Sequence, residues 1–399
     1  MNIIHSVNTA RLSAAALEKA LAAKLKELLH TVPGIPGWTV ETNPAPFNRA
    51  FDLLARGKSP HGPIIELWVD CRREPRPSQF PYVAIEREFE KDSTKLVRAR
   101  VFAAPHISPR MAEICESHSW SWFDLAGNCK ITVPTFLHIE RRGNEPIHKT
   151  PRPIANLSTP IAGRVIRAIL APENAEILWG GHDAASQRWM VAHFGELPKL
   201  KPGQPAIPKP SLGLVNKVIR HLVDEAFIEE LPEGRFRLRD PLKLLFAWRN
   251  QYRFDRQERR GYFSLLKGHE LRTALARLGA QTGGFAVYAA FSAADFQAPH
   301  VRQPKTWLYL REKDIPRFAR LVEAKPVETG ENLIVLIPDD EGVFYLSDGG
   351  RMGEGRMACT NAVQTYVDLW HAGGRGEEAA EALLEQRLKP QWRDKGLKV

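Results

Sequence analysis

Cysteine is scarce in this chain of 399 residues: there are four, Cys71, Cys115, Cys129 and Cys359, far apart and without a C-x-x-C pair. That scarcity argues against a disulfide framework or a zinc site, and makes a reducing cytoplasm the expected compartment. No uninterrupted apolar run reaches about 18 residues, so no spanning helix is expected; acidic membranes compete with nucleic acid as a partner for the basic surface, but no membrane partner is expected. The opening stretch MNIIHSVNTARLSAAALEKALAAKLKELL has charges inside an amphipathic pattern and reads as a helix, not a signal peptide. Acidic side chains are outnumbered: 46 Asp and Glu against 56 Lys and Arg leave a net charge of +10. Such an excess favours acidic partners, nucleic acid first among them. With 43% hydrophobic and 26% charged residues the chain can bury ordinary cores, and its length allows two or three domains.

The stretch SLGLVNKVIRHLVDEAFIEELPEGRFRLRDP, from Ser211 to Pro241, organises the reading of the rest. Ser211 is a good N-cap, its hydroxyl able to accept from a first-turn N–H. Val215, Val218, Ile219 and Leu222 recur at helical spacing as one apolar face. Asn216, Lys217 and Arg220 fall on the other. Ala226, Phe227 and Ile228 lead into a strand, and Pro232-Glu233-Gly234 is turn chemistry. The returning strand alternates, with Phe236 and Leu238 on one side and Arg235, Arg237 and Arg239 on the other. A helix with a polar face followed by an arginine-edged hairpin is the outline of a winged helix-turn-helix. The expected partner is double-stranded DNA, with Ser211, Asn216, Lys217 and Arg220 at the major groove and the three arginines along phosphates.

In the N-terminal third a helix is expected through Leu12, Leu17, Leu21, Leu25 and Leu29. Strands are expected at Trp38–Val40, Ala50–Ala55, Ile64–Asp70 and Leu96–Ala103. Ile107–Ser117 reads as a helix with Ser108 as cap and Pro109 in its first turn. Phe80–Phe89 is a further helix candidate, and Trp122–Asp124 and Lys130–Val133 a last strand pair. This order predicts an α/β layer domain. It resembles the PD-(D/E)XK nuclease fold, in which two acids hold Mg²⁺ and a lysine assists water. Here Asp52 and Asp70 take the acid positions, with Glu66 as an alternative acid on the same strand face as Asp70. Arg72 stands at the lysine position and cannot accept a proton. A degenerate nuclease-like scaffold, without catalytic residues, metal or cofactor, is therefore expected ahead of a Mg²⁺-dependent nuclease.

RRGNEPIHKTPRP, from Arg141 to Pro153, is basic and proline-rich and reads as a linker. A helix follows through Val165, Ile166, Ile169 and Leu170, with Arg164 and Arg167 expected outside. The segment 172–210 is longer than a helix-turn-helix connection needs. It includes a helix candidate at Ala184–Phe194 and a proline- and lysine-rich stretch, Leu197–Pro210; His182, Asp183 and His193 are too few for a metal site. Leu242, Leu245, Phe246 and Trp248 are expected to pack under the winged module. The charged run Arg253–Arg260 is expected to be a solvated helix face. Beyond it, helices at Leu271–Leu278, Phe285–Phe291, Ile315–Val322, Asn361–Trp370 and Glu377–Arg387 are expected. They are joined to strands at Trp307–Leu310, Leu333–Ile337 and Val343–Tyr345. Gly373-Gly374-Arg375-Gly376 reads as a helix-joining turn with Arg375 pairing to a carboxylate.

The predicted class is α/β (α+β). A restriction-endonuclease-like domain spans 1–140, a linker 141–157, a winged helix domain 158–250 with its insertion at 172–210, and a C-terminal α/β domain 251–399. The stretches ISPRMAEICESHSWSWFDLAGNCKI, SLGLVNKVIRHLVDEAFIEE with RLRDP, and VQTYVDLWHAGGRGEEAAEALLE resemble the AbiEi-type antitoxins of type IV toxin–antitoxin systems. That family is also described as transcriptional regulators. The resemblance implies a DNA-binding repressor of its own operon in phage defence, and a nucleotidyltransferase-like toxin as partner.

Overall fold

The computed structural model describes residues 13–35, 37–42, 44, 51–58, 62–80, 96–147, 155–175, 187–188, 190–191, 194, 209–232, 235–347, 356–397 and 399. The chain divides into two compact units, Met1–Arg152 and Pro153–Val399, and its class is mixed α/β.

In the first unit, α1 (Ala14–His30) begins at Ser13, whose hydroxyl accepts from the Ala16 N–H at 3.2 Å. Leu17, Leu21, Leu25, Leu28 and Leu29 form its buried stripe. Seven strands follow in sheet order as in sequence: β1 (Thr39–Thr42), β2 (Leu53–Lys58), β3 (Ile64–Cys71), β4 (Leu96–Ala104), β5 (Ser121–Asp124), β6 (Cys129–Val133) and β7 (Leu137–Arg141). Only β3–β4 and β4–β5 are parallel. The second of these crossovers contains α2 (Pro109–Ser117), capped by Ser108 with Pro in its first turn. Alternation along β3 gives the sheet two faces. Ile65, Leu67 and Val69 join the α1 leucines, while Phe102, Ala104 and Trp122 pack with Met111, Ile114 and Cys115 of α2. Asp52 stands just before β2 instead of on a strand, because pairing with β3 starts at Leu53. Arg141, placed in a linker by its composition, ends β7. The helix candidate from Phe80 lies outside the described residues beyond Phe80 itself.

The second unit opens with α3 (Pro160–Leu170), α4 (Leu212–Asp224), the antiparallel hairpin β8 (Ile228–Leu231) and β9 (Arg235–Leu238), and α5 (Pro241–Gln251). Next come β10 (Glu258–Phe263), α6 (Gly268–Gln281), β11 (Ala286–Tyr288), α7 (Ala290–Gln297), β12 (Thr306–Leu310), α8 (Ile315–Leu321), β13 (Lys325–Pro326) and β14 (Leu333–Ile337). Helices α9 (Ala362–His371), α10 (Gly376–Leu383) and α11 (Lys389–Asp394) complete the chain. The sheet runs β11-β12-β14-β10-β13, with only β12–β14 parallel. Tyr288, Leu308 and Val335 face α6 and α8, while Val287, Trp307, Tyr309 and Leu336 join a core shared with α3, α4, α5, α7 and α9.

Phe285–Phe291 is split into β11 and the start of α7, because Ala286–Tyr288 pairs with β12. Val343–Tyr345 is not a strand: Glu341–Phe344 is a 3₁₀ turn capped by Asp340, whose carboxylate accepts the Gly342 N–H at 3.0 Å. The charged run at 253–260 forms a 3₁₀ turn and then β10, where Arg260 pairs with Glu258 and Glu312. At the glycine run, Gly373 and Gly374 take φ values of +79° and +58°, and Arg375 holds Glu378 at 2.7 and 2.5 Å. A Cβ on Gly376 would stand 2.1 Å from the Leu369 carbonyl oxygen, so only glycine lets α10 start so close to α9.

Arg164 and Arg167, expected outside, are both buried on α3. Arg164 Nε donates to both oxygens of Asp340 at 2.9 and 3.1 Å. Arg167 is 3% exposed, donates from Nε to Gln364 Oε1, and lies over the Trp248 ring. Gln364 donates at 2.7 Å to Asp368 Oδ1, which also accepts from Tyr252 and Tyr309 at 2.9 and 3.0 Å. Helical periodicity treats an arginine as a surface residue, but here the surface is another part of the same core.

Burial pushes the Asp368 carboxyl up to about 7, against the pull of the Tyr252, Tyr309 and Gln364 donors and the Arg167 charge. The folded state keeps this proton where an unfolded aspartate, with a pKa of about 3.9, has lost it. Its contribution to stability is full below the unfolded pKa and declines as pH rises to about 7, by on the order of 4 kcal/mol. Denaturant titrations between pH 4 and pH 8 will show Asp368→Asn losing less stability over this range than wild type.

Candidate nucleic-acid interface

Ser211 starts α4 as its sequence requires, its hydroxyl accepting from the Leu214 N–H at 3.3 Å. Val215, Val218, Ile219 and Leu222 are buried, in one cluster with Val165, Ile166 and Ile169 of α3. A single apolar stripe thus fixes the rotation of α4, and its opposite side is turned to solvent. Gly213, Lys217 and Arg220 are exposed there, Leu212 and Leu214 are exposed at the two edges of the stripe in the first turn, and Asn216 is half-buried. Neither Lys217 nor Arg220 makes a hydrogen bond or ion pair among the described residues. Ser211 is exposed too, but its hydroxyl is engaged by the helix cap.

A tight turn joins α4 to the hairpin. Ala226 takes φ +55°, a left-handed conformation usual for glycine after a helix, and its N–H donates to the Val223 carbonyl at 2.9 Å. Ile228, Phe236 and Leu238 turn into the core. Arg237 points the other way and pairs with Glu229 at 2.8 Å, both side chains substantially exposed. Exposed Arg239 follows β9, its N–H donating to the Phe227 carbonyl at 3.1 Å. The Arg235 side chain and the turn residues Glu233 and Gly234 lie outside the described residues. Asp240 caps α5 by accepting from the Lys243 N–H at 3.0 Å, and Leu244, Leu245 and Trp248 are buried beneath. The stretch Leu197–Pro210 is outside the described residues up to Pro208, as are His182, Asp183, His193 and much of the helix candidate at Ala184–Phe194. Of that candidate Met190 and Phe194 are helical and buried in the shared core.

The acids of the first unit form two separate arrangements. Asp52 Oδ2 accepts the Cys71 N–H at 2.7 Å, and Asp70 is paired with Arg72 at 2.9 Å. Burial raises the Asp70 carboxyl; Arg72 pulls it back and the Asp52 charge adds to the rise. Glu66 lies deeper, 7% exposed. It accepts from Arg56 at 2.7 and 3.1 Å, from Arg98 at 3.3 Å and from the Trp68 indole at 3.3 Å. Among the described residues, no group of three or more His, Cys, Asp or Glu is arranged to hold a metal ion.

The residues missed by sequence reasoning are Leu212 and Leu214, both exposed in the first turn. Leu212 keeps the spacing of the buried stripe, three residues before Val215 and seven before Ile219, and Leu214 lies four before Val218, so the pattern alone does not mark either as uncovered. Compared with protein-family models, with curated proteins and with solved structures, the chain finds no match.

Glu66 is a packing and ion-pairing residue in this geometry. Burial raises its carboxyl, but the Arg56, Trp68 and Arg98 donors outweigh burial and leave it lowered. Its contribution is therefore present above the ordinary glutamate range and lost as pH falls through the folded value. Glu66→Gln will destabilise the protein by about 1–3 kcal/mol at neutral pH. The difference from wild type in chemical denaturation will shrink as pH falls below about 4.

Proposed function

We propose that this chain is a DNA-binding transcriptional regulator, with α4 as the recognition helix of a winged helix-turn-helix and the β8–β9 hairpin as its wing. The observation that carries this reading is the pair Lys217 and Arg220. They are exposed and without partners among the described residues, on a helix whose opposite face is locked into the core. Long cations held on a fixed helix face suit phosphates and guanine edges in a major groove. Arg237 and Arg239 add charge on the adjoining hairpin, where Arg237 exchanges Glu229 for a phosphate on binding. The net charge of +10 supports a polyanionic partner.

The first unit serves, in this proposal, as a degenerate PD-(D/E)XK-like scaffold. Arg72 on Asp70, and Arg56 and Arg98 on Glu66, support a structural use of these carboxylates. The resemblance to AbiEi-type proteins extends the reading to the antitoxin of a type IV toxin–antitoxin system. Such a protein represses its own operon and opposes a nucleotidyltransferase-like toxin.

Selection from a random duplex library, followed by mobility shift on the enriched sequences, tests the DNA reading. The double variant Lys217→Ala, Arg220→Ala will bind more weakly by about 2–4 kcal/mol, with an unchanged circular dichroism spectrum. Unchanged affinity in this variant removes α4 as the recognition helix.

A further inference from the structure

The first turn of α4 exposes two leucines that its core has no use for. Leu212 and Leu214 are 44% and 45% exposed, whereas Val215, Val218, Ile219 and Leu222 are buried. Between them Gly213 leaves the helix tip open: a Cβ added there would meet nothing within 4 Å. Lys217 lies three residues beyond Leu214, and Arg220 three beyond that, so neighbouring side chains run from apolar to cationic along the helix. A second copy of this chain fits such a face poorly, since Lys217 and Arg220 of the two copies would oppose one another. A polyanion bearing isolated apolar groups fits it well. In the DNA major groove that group is the thymine C5-methyl, the apolar group among the base edges displayed there.

We infer that Leu214, in the first turn of α4 and on the same row as Lys217 and Arg220, packs against a thymine methyl group and makes thymine a required base in the preferred duplex. Lys217 and Arg220 then take the neighbouring guanine edges or phosphates. The inference rests on the DNA-binding reading and adds which base the helix selects. It makes Leu214 a specificity-determining residue, distinct from the cations that supply most of the affinity.

The test uses the full chain and the duplex enriched from a random library. Each thymine is replaced in turn by deoxyuracil, which removes only the methyl group. At one or two positions wild-type affinity will fall about fourfold per methyl. Leu214→Ala will bind the thymine duplex more weakly and lose sensitivity to deoxyuracil at one of them, while Leu214→Met will retain it. Both leucines are exposed, so melting temperatures of the variants will match wild type. An enriched duplex indifferent to deoxyuracil at every thymine, or a Leu214→Ala protein as sensitive as wild type, overturns the inference and leaves DNA binding standing. Failure of the library to yield any enriched duplex overturns the DNA reading, and this inference with it.

Discussion

Two arginines taken out of water on one face of α3 set the assembly of the second unit. A buried guanidinium is tolerated only where a carboxylate and further acceptors meet it. Arg164 finds Asp340 after β14, and Arg167 reaches Gln364 on α9 while Trp248 of α5 covers its guanidinium plane. Gly342 belongs to the same constraint: a Cβ there would lie 2.7 Å from Arg164 Cγ and 2.8 Å from Arg167 Nη1. The Trp392 indole closes the arrangement by donating to the Leu170 carbonyl at 2.9 Å, tying α11 to the end of α3. Helix α3 is thereby fixed by residues distant in sequence: Trp248 about 80 positions on, and Asp340, Gln364 and Trp392 well over a hundred. Helix α4 packs on α3, so the direction of its exposed face is inherited from this polar knot.

That dependence explains what was legible in the sequence and what was not. Elements specified by local chemistry could be read directly: Ser108 and Ser211 each cap the helix that follows. The alternation Ile65, Leu67, Val69 against Glu66, Trp68, Asp70 gave β3 its two faces, and the spacing 215–218–219–222 gave α4 its buried stripe. Features decided by distant partners could not be read. Arg164 and Arg167 fall on the same local pattern as surface arginines, and only Asp340 and Gln364 make them interior. Strand β10 hides behind Arg259 and Arg260, because ion pairs of Arg260 with Glu258 and Glu312, and of Arg259 with Glu331, let a strand carry charges that usually mark a solvated helix. Of the candidate site, Lys217 and Arg220 were legible as the polar side of an amphipathic helix. The glutamate facing Arg237 follows from hairpin register, which pairs Glu229 with Arg237. The exposure of Leu214 required knowing which stripe the core would claim.

The proposed interface therefore combines a rigid and an adjustable part. Lys217 and Arg220 are held on a helix packed against α3 and need no rearrangement to meet a groove, which keeps the entropic cost of binding small. Arg237 is exposed and paired to Glu229, and exchanging that partner for phosphate adds electrostatic affinity with little sequence preference. In the first unit Arg72 engages Asp70, and Arg56 and Arg98 engage Glu66. The central claim is that cationic side chains on α4 and the hairpin displace counterions from a duplex. The most direct measurement is the affinity of the full chain for its selected duplex across a range of potassium chloride concentrations. The account predicts that log K falls linearly with log salt with a slope of about −3 to −5. A slope of zero would contradict it.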